Sequence, residues 1–390
     1  MNRSVLLLAL CQALLVTGNI LLVAVNGLIG KQLAPSEALI TLPVAFQFIG
    51  LMMATIPASL IMKKTGRRKG FYLGNSIGIG GALLSVFALT LEHFWLFSIG
   101  TLLLGVGIGF GTLYRFAAVE ACEPGQQGKA ISLVMAGGVL AAFLGPQMAI
   151  HSREWFPDQS FVGAFSALVV LYCIALALIT LVRFEEADPQ EAAGPQRPMK
   201  EILLQPTFIS AVVAGMVGYT VMVLLMTATP LAMVNCGFSF ESAAMVIEWH
   251  VLGMFVPSFF TGHLIARVGV RPVIQAGGVL MLACILINLN GISEWHFRSA
   301  LLLLGVGWNF MFIGATQLVV GTYTPAEKAK TQAANEFLVF SMSTLAAMSA
   351  GWLEAGGGWA ATNALMIPVV LWAMATVWFF RQRKPVEVTA

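Results

Sequence analysis

Long apolar runs alternate with short polar breaks along the whole chain. Reading between clusters of charge and turn residues gives twelve runs, at about 5–29, 38–62, 72–91, 95–118, 130–150, 161–183, 208–231, 241–265, 272–291, 298–321, 332–353 and 360–380. Each is close to the roughly 20 residues a helix needs to cross a hydrocarbon core of about 30 Å. In lipid a segment must satisfy its own backbone N–H and C=O groups, so runs of this length predict transmembrane helices. Only the connection at 184–207 is long and polar, with EEADPQEAAGPQRPMKE inside it, and it reads as a linker. The expected organisation is a six-helix half at 1–183, a cytoplasmic linker at 184–207 and a second six-helix half at 208–390. The first run is too long for the apolar region of a signal peptide and is followed by eleven more, so it is expected to be a span.

Composition sharpens this all-α membrane reading. Hydrophobic residues make up 58% of the 390 and charged residues 10%, against roughly 25% charge in soluble domains. The chain cannot clothe itself in ionic groups. A soluble enzyme, a nucleic-acid binder and a disordered protein are excluded, and a net charge of +3 is no polyanion footprint. Five cysteines without paired short spacings exclude a disulfide scaffold or a zinc ribbon. With the N-terminus inside, 18 of the 21 lysines and arginines fall on the inner side and only Lys31, Arg153 and Arg298 on the outer. That bias predicts both termini in the cytoplasm, with a bacterial inner membrane as the expected location.

The two halves repeat at a near-constant offset. SLIMKKTGRRKGFYLG follows the second run and GHLIARVGVRPVIQAG the eighth, aligning Gly66 with Gly269. LLLGVG in the fourth run and LLLLGVG in the tenth align Gly105 with Gly305 and Gly107 with Gly307. This 6+6 layout with a basic glycine turn after the second span resembles the major facilitator superfamily, whose pattern there is G-x-x-x-D-R-x-G-R-R. Gly66, Arg67 and Arg68 match it; Ser59 and Lys63 stand where the family has glycine and aspartate, so the usual charge latch is altered. Gly138 with Gly145-Pro146 is similar to the family's glycine-proline pattern in span five. The resemblance implies twelve helices in two pseudo-symmetric halves, with substrate near the midplane between them.

Polar side chains at membrane depth are costly and mark function by default. Of the five histidines only His250 lies well within a span. Met254 follows it by four residues, and in the preceding span Met226 follows Met222 by four, so each pair shares a helix face. At about 1.5 Å per residue, Met222 and His250 both lie about 13 Å from the expected outer face, Met226 about 7 Å and Met254 about 19 Å. Thioethers select soft Cu(I), and imidazole adds a stronger neutral donor; methionine is equally a common filler of apolar cores. M-x-x-x-M followed by H-x-x-x-M is similar to the motif of the CcoA-type copper importers. That resemblance implies copper as cargo, Met222, Met226, His250 and Met254 as its ligands, and cytoplasmic copper acceptors or factors of cbb3-type cytochrome oxidase assembly as partners. A related branch carries riboflavin, so an organic cargo, or drug efflux, stands as the alternative.

Further candidates are weaker. Cys236, in the outer loop between the two motif helices, could meet an arriving ion. Glu248 projects away from His250 and could relay a proton or hold a neighbouring helix. Cys11 reads as packing, while Glu336 and the pair Arg115 and Glu120 read as gating or packing ion pairs. The offset of 203 maps Met222 onto Asn19 and His250 onto Gln47, predicting a polar wall of the cavity opposite the ligand wall, or bonds to neighbouring helices. With no P-loop and no soluble domain, transport is expected to be secondary, without a cofactor and without catalytic residues. The expected partners are copper and membrane lipid, not nucleic acid.

Overall fold

The computed structural model describes residues 3–114, 117, 118, 121, 127–153, 155, 156, 161–184 and 195–380. They fold as helices joined by short turns. In the first half these are α1 (Arg3–Leu33), α2 (Leu42–Thr65), α3 (Arg67–Thr90), α4 (Phe94–Gly111), α5 (Gln127–Ser152) and α6 (Val162–Leu181). In the second half α7 is Pro206–Asn235, α8 Phe240–Val268, α9 Val270–Asn290, α10 Glu294–Val320, α11 Lys328–Ala364 and α12 Met366–Phe379. The α11–α12 stretch Lys330–Phe379 is 50 residues long, about 75 Å if straight, far more than one crossing needs. Gly358 resolves this: at φ 69 and ψ −179 it leaves helical geometry, and two helices meet there across a kink. Among the described residues ten stretches are long and apolar enough to cross a membrane, the last of them bent at this kink, and each of the twelve predicted runs falls on helix. Ranks of exposed apolar side chains, among them Leu83, Phe87, Phe143, Trp372 and Trp378, face outward as lipid contact requires.

Repetition extends to backbone detail. Gly66 (φ 87, ψ 156) ends α2 and Gly269 (φ 89, ψ 158) ends α8, in the same left-hand-side conformation that favours glycine. The α4 backbone at Gly105 lies against the Gln47 carbonyl of α2, and the α10 backbone at Gly305 lies against the His250 carbonyl of α8. Each close approach leaves no room for a Cβ. The packing follows suit: α2 on α4 matches α8 on α10, α1 on α5 matches α7 on α11, and α3 on α6 matches α9 on α12.

The halves meet chiefly where α2 packs on α11, α5 on α8 and α1 on α7. At the face expected outside, side-chain contacts tie them together. Lys31 Nζ donates to Asn235 Oδ1. Thr41 Oγ1 donates to the Met348 carbonyl at 3.2 Å and accepts from the Gly351 N–H at 3.3 Å. Phe161 and Phe240 meet edge to face at 5.7 Å, with the Arg153 guanidinium over both rings at 5.2 and 4.9 Å.

Proline and asparagine shape α8. Its first segment ends at Phe255, and after Val256 and Pro257 a second runs Ser258–Val268. Asn309 of α10 braces the break, donating to the Met254 carbonyl and to Ser258 Oγ, both at 2.7 Å, and accepting from Thr261 Oγ1 at 2.6 Å. The linker is also tied down where it is described. Arg197 donates through its backbone N–H and its guanidinium to Glu327, whose side chain has no exposure, and through Nη2 to the Thr322 carbonyl. The Arg197 guanidinium holds the Glu327 carboxyl well below the usual carboxylate range.

Candidate functional site

Met222 and Met226 are buried on α7, and His250 and Met254 on α8, all within 9% of full burial. The three methionines belong to one continuous apolar core. His250 has no exposure, and its ring turns toward α10: Nδ1 lies 2.8 Å from the Leu301 carbonyl. A carbonyl only accepts, so Nδ1 carries the proton and Nε2 keeps its lone pair. That Nε2 is buried and unpartnered. The histidine therefore has a fixed tautomer and one free donor atom, the arrangement in which a protein histidine ligates a metal. Among the described residues no group of three His, Cys, Asp or Glu comes together, so a metal here would rest on one imidazole and thioethers.

The expected polar wall takes a different form. Gln47 is 1% exposed and Asn26 fully buried. Asn26 Nδ2 donates to Gln47 Oε1 at 3.0 Å, and Gln47 Nε2 donates to Asn19 Oδ1 at 2.6 Å. Gln47 thus spends its amide inside the first half, between α1 and α2, and only Asn19, half-buried, stands at the end of the chain of amides. Asn26 escaped the sequence reading although it lies seven residues beyond Asn19 on the same helix face.

A cluster of rings fills the middle of the second half. Tyr219 of α7 packs edge to face against Trp308 (5.3 Å) and Phe312 (5.0 Å) of α10 and Phe340 of α11 (5.4 Å). Trp308 and Phe312 stack at 5.0 Å with 14° between planes. Phe255 of α8 approaches Trp308 at 6.5 Å and reaches across the seam to Gly138 of α5, where a Cβ would stand 2.6 Å from its ring. Tyr219, Phe255 and Phe312 are only half-buried. Aromatic residues are plentiful throughout the chain, so composition alone gave no contrast.

The remaining candidates divide. Glu248 is half-buried and accepts a long hydrogen bond from Gln147 Nε2 of α5 at 3.5 Å, on the seam between halves. Cys236 is exposed just past the end of α7. Cys11 is packed, its thiol directed at the Ala175 carbonyl. Glu336 is half-buried near the start of α11. Arg115 and Glu120 lie outside the described residues.

The sequence profile of the Major Facilitator Superfamily matches residues 6–347. The chain belongs to the major facilitator superfamily. Within that superfamily it is 40% identical over 371 residues to the riboflavin transporter RfnT of Brucella anthropi, covering 95% of this chain and 93% of that one. It is 29% identical over 374 residues to the MFS-type transporter YdeG of Bacillus subtilis, covering 90% and 87%. Among solved structures, a D-xylose–proton symporter superposes with a TM-score of 0.75 over 97% of both chains at 14% identity, which supports the fold alone. As a major facilitator this is a multi-pass membrane protein of a superfamily whose members are generally non-enzymatic carriers. The motif resemblance to copper importers is not matched by these relatives, the first of which carries a riboflavin name.

Proposed function

We propose that this major facilitator is a secondary importer of riboflavin or a closely similar flat heteroaromatic molecule, acting in a bacterial inner membrane. The observation that carries the proposal is the cluster of Tyr219, Trp308, Phe312, Phe340 and Phe255, contributed by four helices at mid-height and reaching the seam at Gly138. Aromatic faces attract flat ring systems by offset or edge contact, about 0.5–1.5 kcal/mol per pair beyond area burial. The full-length relative from Brucella anthropi points the same way. Import follows by alternating access of the two halves about that region.

Copper, as Cu(I), is the second reading. It is favoured by His250, whose buried Nε2 has no partner and whose Nδ1 is held by the Leu301 carbonyl, with Met254 one turn on. In this reading Met222, Met226, His250 and Met254 supply the passing ion with neutral donors, Cys236 lies on its approach, and cytoplasmic copper acceptors or oxidase assembly factors receive it.

One experiment separates the two. Cells unable to make riboflavin and lacking their own importer are given this chain, and uptake of labelled riboflavin and of radioactive copper is measured side by side. Riboflavin uptake with copper at background supports the leading reading. Copper uptake with no riboflavin uptake overturns it in favour of the second.

A further inference from the structure

The amides of α1 and α2 have a direction. Asn26 donates to Gln47, Gln47 donates to Asn19, and both Asn26 and Gln47 are closed to solvent. Holding two adjacent helices together needs one such bond. Three amides in series, the last of them half-buried, do something more: they fix the orientation of the final one. With Oδ1 committed on one side to Gln47, Asn19 keeps its two Nδ2 protons and the second lone pair of Oδ1. No equivalent series exists around His250, the position matching Gln47, because that ring turns to α10.

Height links this amide to the aromatic cluster. α1 and α7 cross the membrane in the same direction and meet where Gly27 faces Thr227 and Leu231. Eight residues earlier, about 12 Å along each helix, lie Asn19 on α1 and Tyr219 to Val223 on α7. Asn19 is therefore level with Tyr219, on the other half of the molecule. In the same cluster Trp308, 4% exposed, keeps its indole N–H without a partner. An unpaired buried donor is costly in a membrane interior.

Resting on the flavin reading above, we infer that Asn19, aimed by Gln47 and Asn26, is a recognition residue for the hydrogen-bonding edge of a fused heteroaromatic substrate whose ring body lies against Tyr219, Trp308 and Phe312. The edge it suits is an imide, –CO–NH–CO–, where a carbonyl acceptor and an N–H donor stand side by side as the amide's own donor and acceptor do. Gln47 and Asn26 are positioning residues. A molecule held by Asn19 on one half and by the ring cluster on the other bridges both halves, and its binding favours their approach.

The full-length protein, reconstituted in liposomes, is assayed for uptake of riboflavin and of 3-methylriboflavin, whose imide N–H is replaced by N–CH3. Wild type is expected to prefer riboflavin. Asn19→Ala is expected to raise the riboflavin KM by about tenfold, whereas Asn19→Asp, which drops the donors but keeps the acceptor facing the imide N–H, should raise the KM for both compounds and keep the preference. In Asn19→Ala the maximal rate per reconstituted molecule should change little, and the KM for the methylated compound, which has only the carbonyl bond to lose, should rise less than that for riboflavin, so the preference disappears. Gln47→Leu should lose part of the preference by freeing Asn19 to rotate. Riboflavin uptake by Asn19→Ala with the preference intact, or an equal effect on both compounds, overturns the inference while leaving the cargo reading standing. A wild type that carries neither compound overturns the cargo reading and the inference together.

Discussion

Gly138 offers a direct handle on how the halves rock. A Cβ at this position in α5 would stand 2.6 Å from Cγ and Cδ1 of Phe255 in α8. Comfortable carbon contacts begin near 3.5 Å, so Gly138→Ala demands that ring and helix part by about 1 Å. Cγ lies next to the backbone, and the ring is flanked by Trp308, so little of this is absorbed by a rotamer change. Overpacking of this kind costs about 1–3 kcal/mol, which is about 5–150-fold in an equilibrium constant. The cost falls on the arrangement in which α5 and α8 touch at Gly138 and Lys31 meets Asn235. A cysteine pair at Lys31 and Asn235, whose side chains meet in that arrangement, reports its population by cross-linking. Gly138→Ala should lower the cross-linking yield by at least severalfold, and a second change, Phe255→Ala, should restore it. Gly80→Ala is the control, because a Cβ there meets nothing within 4 Å. An unchanged yield in Gly138→Ala, at equal protein in the membrane, would refute the wedge argument.

Three further outcomes can be measured. Tyr219→Ala removes the ring that contacts Trp308, Phe312 and Phe340, and riboflavin uptake should fall at least severalfold while protein level is kept; undiminished uptake would count against the ring cluster as the binding surface. Asn309→Leu removes the amide that bonds the Met254 carbonyl, Ser258 Oγ and Thr261 Oγ1, and thermal unfolding should shift down by a free-energy loss of about 1–3 kcal/mol. The Arg197–Glu327 clamp depends on an ionised Glu327, whose folded pKa is depressed by Arg197. Its stabilisation is therefore full above the unfolded carboxylate value of about 4.3 and is lost only as pH falls below that toward the folded value; a fluorophore on Gln196→Cys should keep its anisotropy from pH 7 to about 4 and lose it below.

Hydropathy made the membrane-spanning helices legible because lipid imposes one requirement on every segment, backbone self-satisfaction over a fixed thickness. Glycines 66 and 269 were legible for a related reason: a turn at φ near 87 tolerates few other residues. The break in α8 at Val256 and Pro257 was not, since proline inside an apolar run does not say whether the helix bends or stops. Depth along a helix could be computed from residue number, so the level of His250 was accessible; its partner, the Leu301 carbonyl 51 residues away, was not. Asn19 and Gln47 were found as polar residues in apolar runs, yet their bond to each other depends on a rotation about the helix axes that spacing leaves free. Cargo was the hardest part. Four residues matched a copper motif, while the relative covering 95% of the chain carries a riboflavin name, and a short motif constrains a site less than similarity along every helix does.

The repeat itself supplies the substitution that tells the two cargos apart. Gln47 and His250 occupy matching backbone positions, each with its carbonyl against a glycine of the fourth helix in its half. The surrounding backbone already accepts glutamine at one of them. His250→Gln should therefore fold, since the volume is similar and the new side-chain N–H can still donate to the Leu301 carbonyl that Nδ1 now serves. What it removes is the imidazole lone pair on Nε2, which has no partner among the described residues. An amide oxygen is a hard, weak substitute for it toward Cu(I). If the cargo is a flavin held by the ring cluster and Asn19, riboflavin uptake in His250→Gln stays within about twofold of wild type, because no bond to the substrate is lost. If copper is the cargo, its uptake falls to background while protein level is unchanged. Loss of riboflavin uptake in this conservative variant would place the histidine itself against the flavin, and the division of labour between a ring cluster on one half and an amide on the other would have to be abandoned.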